Sequence, residues 1–159
     1  METETVFGVD WLIMEVRRAR PDDKMRVLMM ARSFQAASGL PIPFKADYAS
    51  LLFDALLTNP TMLCIVLDDN GPQGVLAAQT GTLPLAPIKA ASELIWWIEP
   101  AYRGRAAKQM LDAYEAWAKE QGCAFVNMIG LGADPITSRL YERRGYIAAE
   151  RHFMKPLAS

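Results

Sequence analysis

The chain has 159 residues, of which 52% are hydrophobic and 22% charged, and its formal net charge is -1. This composition is typical of a globular protein with a sizeable core, so residues 1–159 are expected to form a single domain. The low net charge gives no general attraction to nucleic acid or to an anionic membrane, and neither is expected as a partner. No run reaches the roughly 18 apolar residues of a transmembrane helix, and the N-terminus lacks the features of a signal peptide, so a cytoplasmic location is predicted.

The two cysteines, Cys64 and Cys123, each lie within an apolar run that is typical of a strand. Two buried thiols are therefore expected, rather than a disulfide or a metal site. The single histidine, His152, is a further reason to predict no zinc site, and no bound metal is expected.

Hydrophobic periodicity and turn residues predict an alternation of strands and helices. In chain order these are a strand at 11–18, helices at 24–37 and 46–58, strands at 62–67 and 75–82 joined by a turn, a loop at 83–91, an apolar strand at 94–98, a helix ending near 121, a strand at 123–129, a helix at 136–144 capped by Asp134 and Pro135, and one or two strands within 146–156. This order predicts an α/β fold with a mixed sheet.

The segment from Glu93 to Gln121 combines an apolar strand, a short basic loop and an amphipathic helix. Pro100 ends the strand because proline cannot donate a hydrogen bond to a sheet ladder. Beyond the loop, apolar residues recur at helical spacing for more than three turns. These residues are Ala107, Met110, Leu111, Tyr114, Trp117 and Ala118. Gly122 is a natural C-terminal stop for the helix.

The start of this helix is a predicted anion-binding site. The first amides of a helix have no intrahelical partner, and the helix dipole adds partial positive charge at the same end. Small residues there would let a phosphate approach the backbone, and basic side chains would supply charge. The residues concerned are Arg103, Gly104, Arg105, Ala106, Ala107 and Lys108.

Residues 98–106 read IEPAYRGRA, and residues 140–146 read LYERRGY. Both motifs resemble those of the GNAT N-acetyltransferase superfamily. The first is similar to the family's acetyl-coenzyme A segment, in which an aliphatic residue and a proline precede Arg/Gln-x-x-Gly-x-Gly/Ala. The second is similar to the family's C-terminal LYE(K/R)xGF segment. The order of the two motifs, with a helix and a strand between them, also agrees with the family.

This resemblance implies a GNAT-like fold with a mixed, mostly antiparallel central sheet flanked by helices. It also implies an enzyme that moves an acetyl group from acetyl-CoA to a primary amine, which attacks the thioester directly without a covalent enzyme intermediate. The pyrophosphate would lie on residues 103–108. The pantetheine arm would run along the central strand near Trp97 and Ile98, between that strand and the strand at 123–129.

The resemblance further implies catalytic roles for two side chains. Tyr141 matches the tyrosine that protonates the departing thiolate in many family members. Glu93 lies near the family's catalytic glutamate and is a candidate general base, since an amine with a pKa of about 10.4 is mostly protonated at neutral pH. Glu99 would share the face of Glu93 in an unbroken strand, whereas a bulge would change the phase. A chain of water molecules, or a purely structural role for each carboxylate, is an alternative, and the oxyanion donor is expected to be a backbone amide around Trp97 or Ile98.

Two other functions are also compatible with the sequence. The loop departs from the family pattern at Ala106, where glycine is usual, and at Lys108, where glycine or alanine is usual. These departures favour a catalytically degenerate GNAT domain that binds coenzyme A or a protein partner without turnover. A nucleotide-binding α/β domain could use the same loop, but the chain lacks Gly-x-Gly-x-x-Gly and Gly-Lys-Ser/Thr motifs.

No motif identifies the acceptor. It is expected to be bound by the loop at 39–45, the helix at 46–58 and the loop at 83–91, which are mostly apolar and carry no acidic cluster. These features favour a small or hydrophobic amine, or the N-terminus of a peptide, over a polyamine or an aminoglycoside. Many family members pair, so a homodimer is a further expectation.

Overall fold

A single five-stranded sheet forms the centre of the computed structural model, which describes residues 14–130 and 137–157. In chain order the elements are β1 (Glu15–Arg18), α1 (Lys24–Ala37), α2 (Ala46–Thr58), β2 (Met62–Asp68), β3 (Pro72–Thr82), β4 (Lys89–Ile98), α3 (Arg105–Glu120), β5 (Phe125–Asn127) and α4 (Ser138–Arg143). The strands lie in sequence order, and every neighbouring pair is antiparallel except β4 and β5, which are parallel. The predicted α/β class with a mixed, mostly antiparallel sheet is confirmed.

Each face of the sheet carries its own hydrophobic core. On one face, α3 buries Met110, Leu111 and Tyr114 completely against the strands. On the other face, α1 and α2 pack with a second cluster that contains Met30 and Phe53. Burying a large apolar side chain contributes about 1.5–3 kcal/mol, so these two clusters hold the helices on the sheet. Within the described residues, no helix is both long enough and apolar enough to cross a membrane.

Helix bounds follow the predictions closely, whereas strand bounds differ. Helices α1 and α2 coincide with the predicted ranges 24–37 and 46–58. Strand β4 begins at Lys89 rather than 94, because its first half pairs with β3 although Ala90, Ala91 and Ser92 are weak strand formers. Strand β5 has only three residues, fewer than the range 123–129.

The predicted strands at 146–156 are wrong. Residues 145–157 contain neither helix nor strand, and beyond Tyr146 they make no backbone hydrogen bond to any described residue. Strand β5, at the sheet edge, is too short to offer a ladder of that length. The large apolar side chains of the segment therefore stay in solvent, with Ile147 84% and Phe153 89% exposed. The predicted strand residues 11–13 and the predicted helix cap at Asp134 and Pro135 lie outside the described residues.

Gly74 on β3 is a position where a side chain does not fit. A Cβ atom there would lie 3.2 Å from both Leu67 Cβ and Met110 Sδ, and 3.4 Å from Ile98 Cγ1. Gly74→Ala is expected to lower the free energy of unfolding by about 1–3 kcal/mol, since overpacking displaces well-packed neighbours. Gly81→Ala on the same strand is the control, because a Cβ there meets nothing within 4 Å. Urea denaturation of both variants checks the prediction, and equal stabilities would contradict it.

Candidate active site

The sheet opens between β4 and β5. The two strands pair only from Ala90 opposite Phe125 to Ser92 opposite Asn127. Beyond that point β4 continues to Ile98, so among the described residues no strand pairs with the edge of its second half on the β5 side. An open strand edge carries free N–H and C=O groups that can bind an extended ligand.

A bulge in β4 decides which side chains point towards α3. Ala77 lies opposite Ile95 and Ala78 lies opposite Glu93, which leaves Leu94 as an extra residue. Leu94 and Ile95 consequently both pack on the α1–α2 side, whereas Trp96 packs with the α3 cluster. Glu93 is two residues from Ala91, which also belongs to the α3 cluster. Glu93 therefore points to the α3 side, at the point where the strands part.

The Glu93 carboxylate is buried and almost without solvent contact. Only 2% of the residue is exposed, and its Oε2 atom accepts a hydrogen bond of 3.0 Å from the Ile129 amide, just beyond β5. Burial raises the pKa of Glu93 to about 7, and the Ile129 amide opposes part of that rise. A carboxylate with a pKa near neutrality can take a proton at physiological pH and release it again.

Tyr141, on α4, lies on the same side of the sheet. Its ring contacts Trp96 at a centroid distance of 6.0 Å and Tyr146 at 5.7 Å. Burial raises the pKa of Tyr141 above its ordinary value, a contact with the Thr137 side chain opposes this rise, and the negative charge of Glu93 adds to it. The two predicted catalytic side chains thus lie on the same side of the sheet. Tyr141 stays a neutral hydrogen-bond donor at every physiological pH.

Glu99 lies on the opposite face from Glu93 because of the bulge. Its Oε1 atom forms an ion pair of 3.1 Å with Arg26 on α1, and the Trp97 indole N–H donates to the same oxygen at 3.4 Å. Glu99 therefore links β4 to α1 and does not face Tyr141.

The backbone of β4 presents two residues to the open edge. The Glu99 amide donates to Gln73 O, and hydrogen-bonding groups alternate along an antiparallel pair, so the Trp97 amide points to β3. The amides and carbonyls of Trp96 and Ile98 face the opening instead. Of the two residues predicted to supply the oxyanion donor, Ile98 therefore has its amide at the open edge and Trp97 does not. The other amide at this edge is that of Trp96.

The loop after β4 exposes helix amides as predicted. A 3-10 turn at Pro100–Tyr102 is followed by Gly104, whose φ of 102° is accessible to few residues other than glycine. Helix α3 then begins without any side-chain cap. The amides of Gly104, Arg105 and Ala106 donate no hydrogen bond to any described residue. These three donors are available to an anion.

The side chains at residues 103–108 differ in burial and in the direction in which they point. Ala106 and Ala107 are buried in the α3 cluster, so their small size lets the first turn of α3 approach the sheet. Lys108 is turned to solvent, where its Nζ forms an ion pair of 3.0 Å with Asp112. Arg103 folds back over the Trp97 ring at 4.8 Å, and its Nε donates to Ile98 O at 2.9 Å. Arg105 is exposed and forms no ion pair with a described residue.

The two departures from the family motif have a structural explanation. Ala106 lies inside α3 and needs no positive φ, so glycine is not required there. Lys108 points away from the helix start and leaves the amides uncovered. Neither residue obstructs the predicted phosphate site.

Sequence reasoning missed three parts of this arrangement. The Ile129 amide that binds Glu93 is invisible to a side-chain motif. The Trp96 indole N–H and the Tyr146 hydroxyl are buried near Tyr141 without a hydrogen-bond partner among the described residues. Trp96 and Trp97 are adjacent on the strand, so their rings lie on opposite faces of the sheet and pack in different clusters.

The sequence model of the acetyltransferase (GNAT) family matches residues 28–146, about three quarters of the chain. The chain belongs to the GNAT acetyltransferase family. This matched range contains β4, the loop, α3 and Tyr141, so the open sheet edge and the helix start belong to the family domain. Among curated proteins, none matches this sequence significantly.

Solved structures share the fold of this GNAT protein at low sequence identity. A predicted acetyltransferase from Clostridium acetobutylicum, solved with acetyl-CoA, has a TM-score of 0.76 at 16% identity, over 91% of this chain and 96% of that one. A GCN5-related N-acetyltransferase from Ralstonia eutropha has a TM-score of 0.71 at 20% identity, over 92% and 99%. Glucosamine-6-phosphate N-acetyltransferase from Arabidopsis thaliana has a TM-score of 0.70 at 12% identity, over 91% and 99%. At these identities the similarity concerns the fold.

Proposed function

We propose that this protein transfers an acetyl group from acetyl-CoA to a primary amine by direct attack of the amine on the thioester. The observation that carries this proposal is the position of Glu93. It is a buried carboxylate with a pKa near neutrality. It lies where β4 and β5 stop pairing and the edge of β4 becomes open.

The residues present fit acetyl-CoA as the acyl donor. The free amides of Gly104, Arg105 and Ala106 suit the pyrophosphate, and Arg105 adds a mobile positive charge beside them. The open edge at Trp96 and Ile98 suits the amide groups of the pantetheine arm. The Ile98 carbonyl is held by Arg103, so Arg103 would leave it when the arm binds and would then be free to meet a phosphate.

In the proposed reaction, each step uses a group that lies near the opening. Glu93 accepts a proton from the incoming ammonium group, and the neutral amine forms a C–N bond with the thioester carbon. A backbone N–H of Trp96 or Ile98 stabilises the oxyanion. The nitrogen then releases its second proton to solvent, the C–S bond breaks, the sulfur leaves as a thiolate, and Tyr141 donates a hydrogen bond to it.

The raised pKa of Tyr141 refines its proposed role. A thiol has an ordinary pKa of about 8.5, below that of the buried phenol, so complete transfer of the phenolic proton to the thiolate is unfavourable. Tyr141 is better suited to stabilise the thiolate through a hydrogen bond, while the proton comes from solvent or from the protonated Glu93 carboxyl.

Tyr141→Phe tests this role. The change removes the donor and keeps the ring contacts with Trp96 and Tyr146, so we expect kcat to fall roughly ten- to a hundredfold. The Kd for acetyl-CoA should stay within about twofold. Tyr146→Phe serves as a control for the loss of a buried hydroxyl nearby, with a smaller expected effect. Steady-state release of free thiol from acetyl-CoA measures both variants, and an unchanged kcat in Tyr141→Phe would remove Tyr141 from the mechanism.

A further inference from the structure

Three uncharged polar residues form a row across the sheet beside the proposed reaction site. Gln79 on β3 lies opposite Ser92 on β4, and Ser92 lies opposite Asn127 on β5. Asn127 Nδ2 donates to Ser92 Oγ at 3.3 Å, so these two side chains share a face. We call Gln79, Ser92 and Asn127 the polar row.

The polar row lies on the face opposite α3. Ala77 on β3 packs in the α1–α2 cluster, and alternation along the strand places Gln79 on the same face. Helices α1 and α2 do not cover it, since Gln79 and Asn127 are exposed. The row lines a recess of about 170 Å³, with Leu83 and Ala90 as apolar wall. Ligand pockets usually measure about 300–1,000 Å³, so this recess suits one short substituent and not a whole ligand.

The recess lies next to Glu93 along β4, but on the opposite face of the sheet. Ser92 directly precedes Glu93, and Asn127 lies two residues before Ile129, whose amide binds the Glu93 carboxylate. Ser92 and Asn127 are also the last pair of residues on β4 and β5 before the two strands separate. Because α3 covers the face to which Glu93 points, an amine held at the polar row would reach Glu93 through the opening between β4 and β5, which begins at this pair.

None of the described residues that line the recess is charged. The nearest lysine along the chain, Lys89, is turned away and donates to Gln121 O at 2.9 Å. The amide of Gln79 and the Oδ1 atom of Asn127 belong to exposed residues and have no hydrogen-bond partner among the described residues. Together they offer both donors and acceptors to a bound group, which is the pattern that an amide or a hydroxyl satisfies.

We infer that the acceptor carries an uncharged hydrogen-bonding group, an amide or a hydroxyl, a few bonds from its primary amine, and that the polar row binds this group. The inference rests on the proposed function and specifies its substrate class. It replaces the mostly apolar acceptor site expected from the sequence with an uncharged polar one.

The test compares primary amines that share a three-carbon chain and end in an amide, a hydroxyl, a methyl, an ammonium or a carboxylate group. A common chain keeps the basicities of the reacting amines similar. With acetyl-CoA and the wild-type protein, the amide- and hydroxyl-ended amines should show a kcat/KM at least about tenfold above the other three, the gain expected from one good hydrogen bond.

Two variants test whether the polar row is the cause of the preference for the amide-ended amine. Gln79→Leu and Asn127→Leu should each lower kcat/KM for the amide-ended amine about tenfold and leave the methyl-ended amine and the KM for acetyl-CoA within about twofold. Gln121→Leu, which removes an amide side chain at the end of α3, is the matched control and should change neither. Circular dichroism checks folding, and Gln79→Leu on the exposed part of β3 carries the test if Asn127→Leu unfolds.

The outcomes separate this inference from the proposed function. Equal use of all five amines, or a preference for the ammonium-ended amine that survives Gln79→Leu, would overturn the inference and leave the acetyl transfer standing. Acetylation of none of the amines would overturn the proposed function and the inference with it.

Discussion

Glu93→Gln is expected to lower kcat about a hundred- to a thousandfold, while the Kd for acetyl-CoA stays within about twofold. Glutamine can still accept the hydrogen bond from the Ile129 amide, so the local structure should be kept. What is lost is the group that takes the proton from the amine. In the wild-type protein, kcat/KM should accordingly fall as the pH drops below about 7, where Glu93 becomes protonated. A pH profile of both proteins under saturating acetyl-CoA measures this.

The same substitution should stabilise the fold at high pH. Burial raises the pKa of Glu93 from 4.5 to about 7, so the folded state binds a proton more tightly than the unfolded state. The stability contributed by this preference is complete below pH 4.5 and is lost as the pH rises through about 7. A neutral glutamine avoids that loss, which amounts to about 3 kcal/mol at most. Glu93→Gln and wild type should therefore be equally stable in acid, and the variant more stable above neutrality.

Glu99→Gln is the matched control for the kinetic measurement and for the comparison of stability at different pH values. It removes a carboxylate from the same end of β4, but one that faces α1 and pairs with Arg26. Its kcat should stay within about threefold of wild type. A large loss of kcat in Glu99→Gln together with full activity in Glu93→Gln would contradict the assignment of the base.

Arg105→Glu is expected to raise the Kd for acetyl-CoA about a hundredfold. Arg105 is the first residue of α3, is exposed, and stands beside the free amides of the helix start. A hydrogen bond between charged groups contributes about 1.5–3 kcal/mol, and the reversed charge adds repulsion of the phosphates. Isothermal titration calorimetry with acetyl-CoA measures the change, and the effect should shrink in high salt.

Lys119→Glu provides the control for this reversal. Lys119 lies in the last turn of the same helix and is exposed. Lys119→Glu therefore has the same net charge as Arg105→Glu but leaves the start of α3 unchanged. Its Kd should stay within about threefold of wild type. Equal affinities in Lys119→Glu and Arg105→Glu would contradict the location of the phosphates at the start of α3.

Local patterns were sufficient to predict the helices and an uncapped helix start after β4. The spacing of apolar residues fixed α1, α2 and α3, because helix formation depends on neighbours three and four residues away. The glycine and basic residues at 103–108 predicted a helix start with free amides, and the structure contains one. The family resemblance, taken from two short motifs, is confirmed by the match over residues 28–146.

Features that depend on strand register were not predictable in the same way. The apolar run after Glu93 gives no sign of the bulge at Leu94, yet this extra residue separates the faces of Glu93 and Glu99. The polar row joins residues far apart in the sequence, and only the pairing of β3, β4 and β5 brings Gln79, Ser92 and Asn127 together. The incorrect prediction of strands at 146–156 has the same cause. An apolar segment forms a strand only where a neighbouring strand offers a free edge, and the local sequence does not show whether one is present.

The proposed function requires that the opening between β4 and β5 is a site of acetyl transfer and not only of binding. The most direct test incubates the protein with acetyl-CoA, with and without the amide-ended amine, and follows free thiol together with the mass of the amine. We expect thiol release that depends on the amine, an equal amount of N-acetylated product, and loss of both in Glu93→Gln. Acetyl-CoA that binds but releases no thiol with any amine of the series would contradict the claim and identify a domain that binds coenzyme A without turnover.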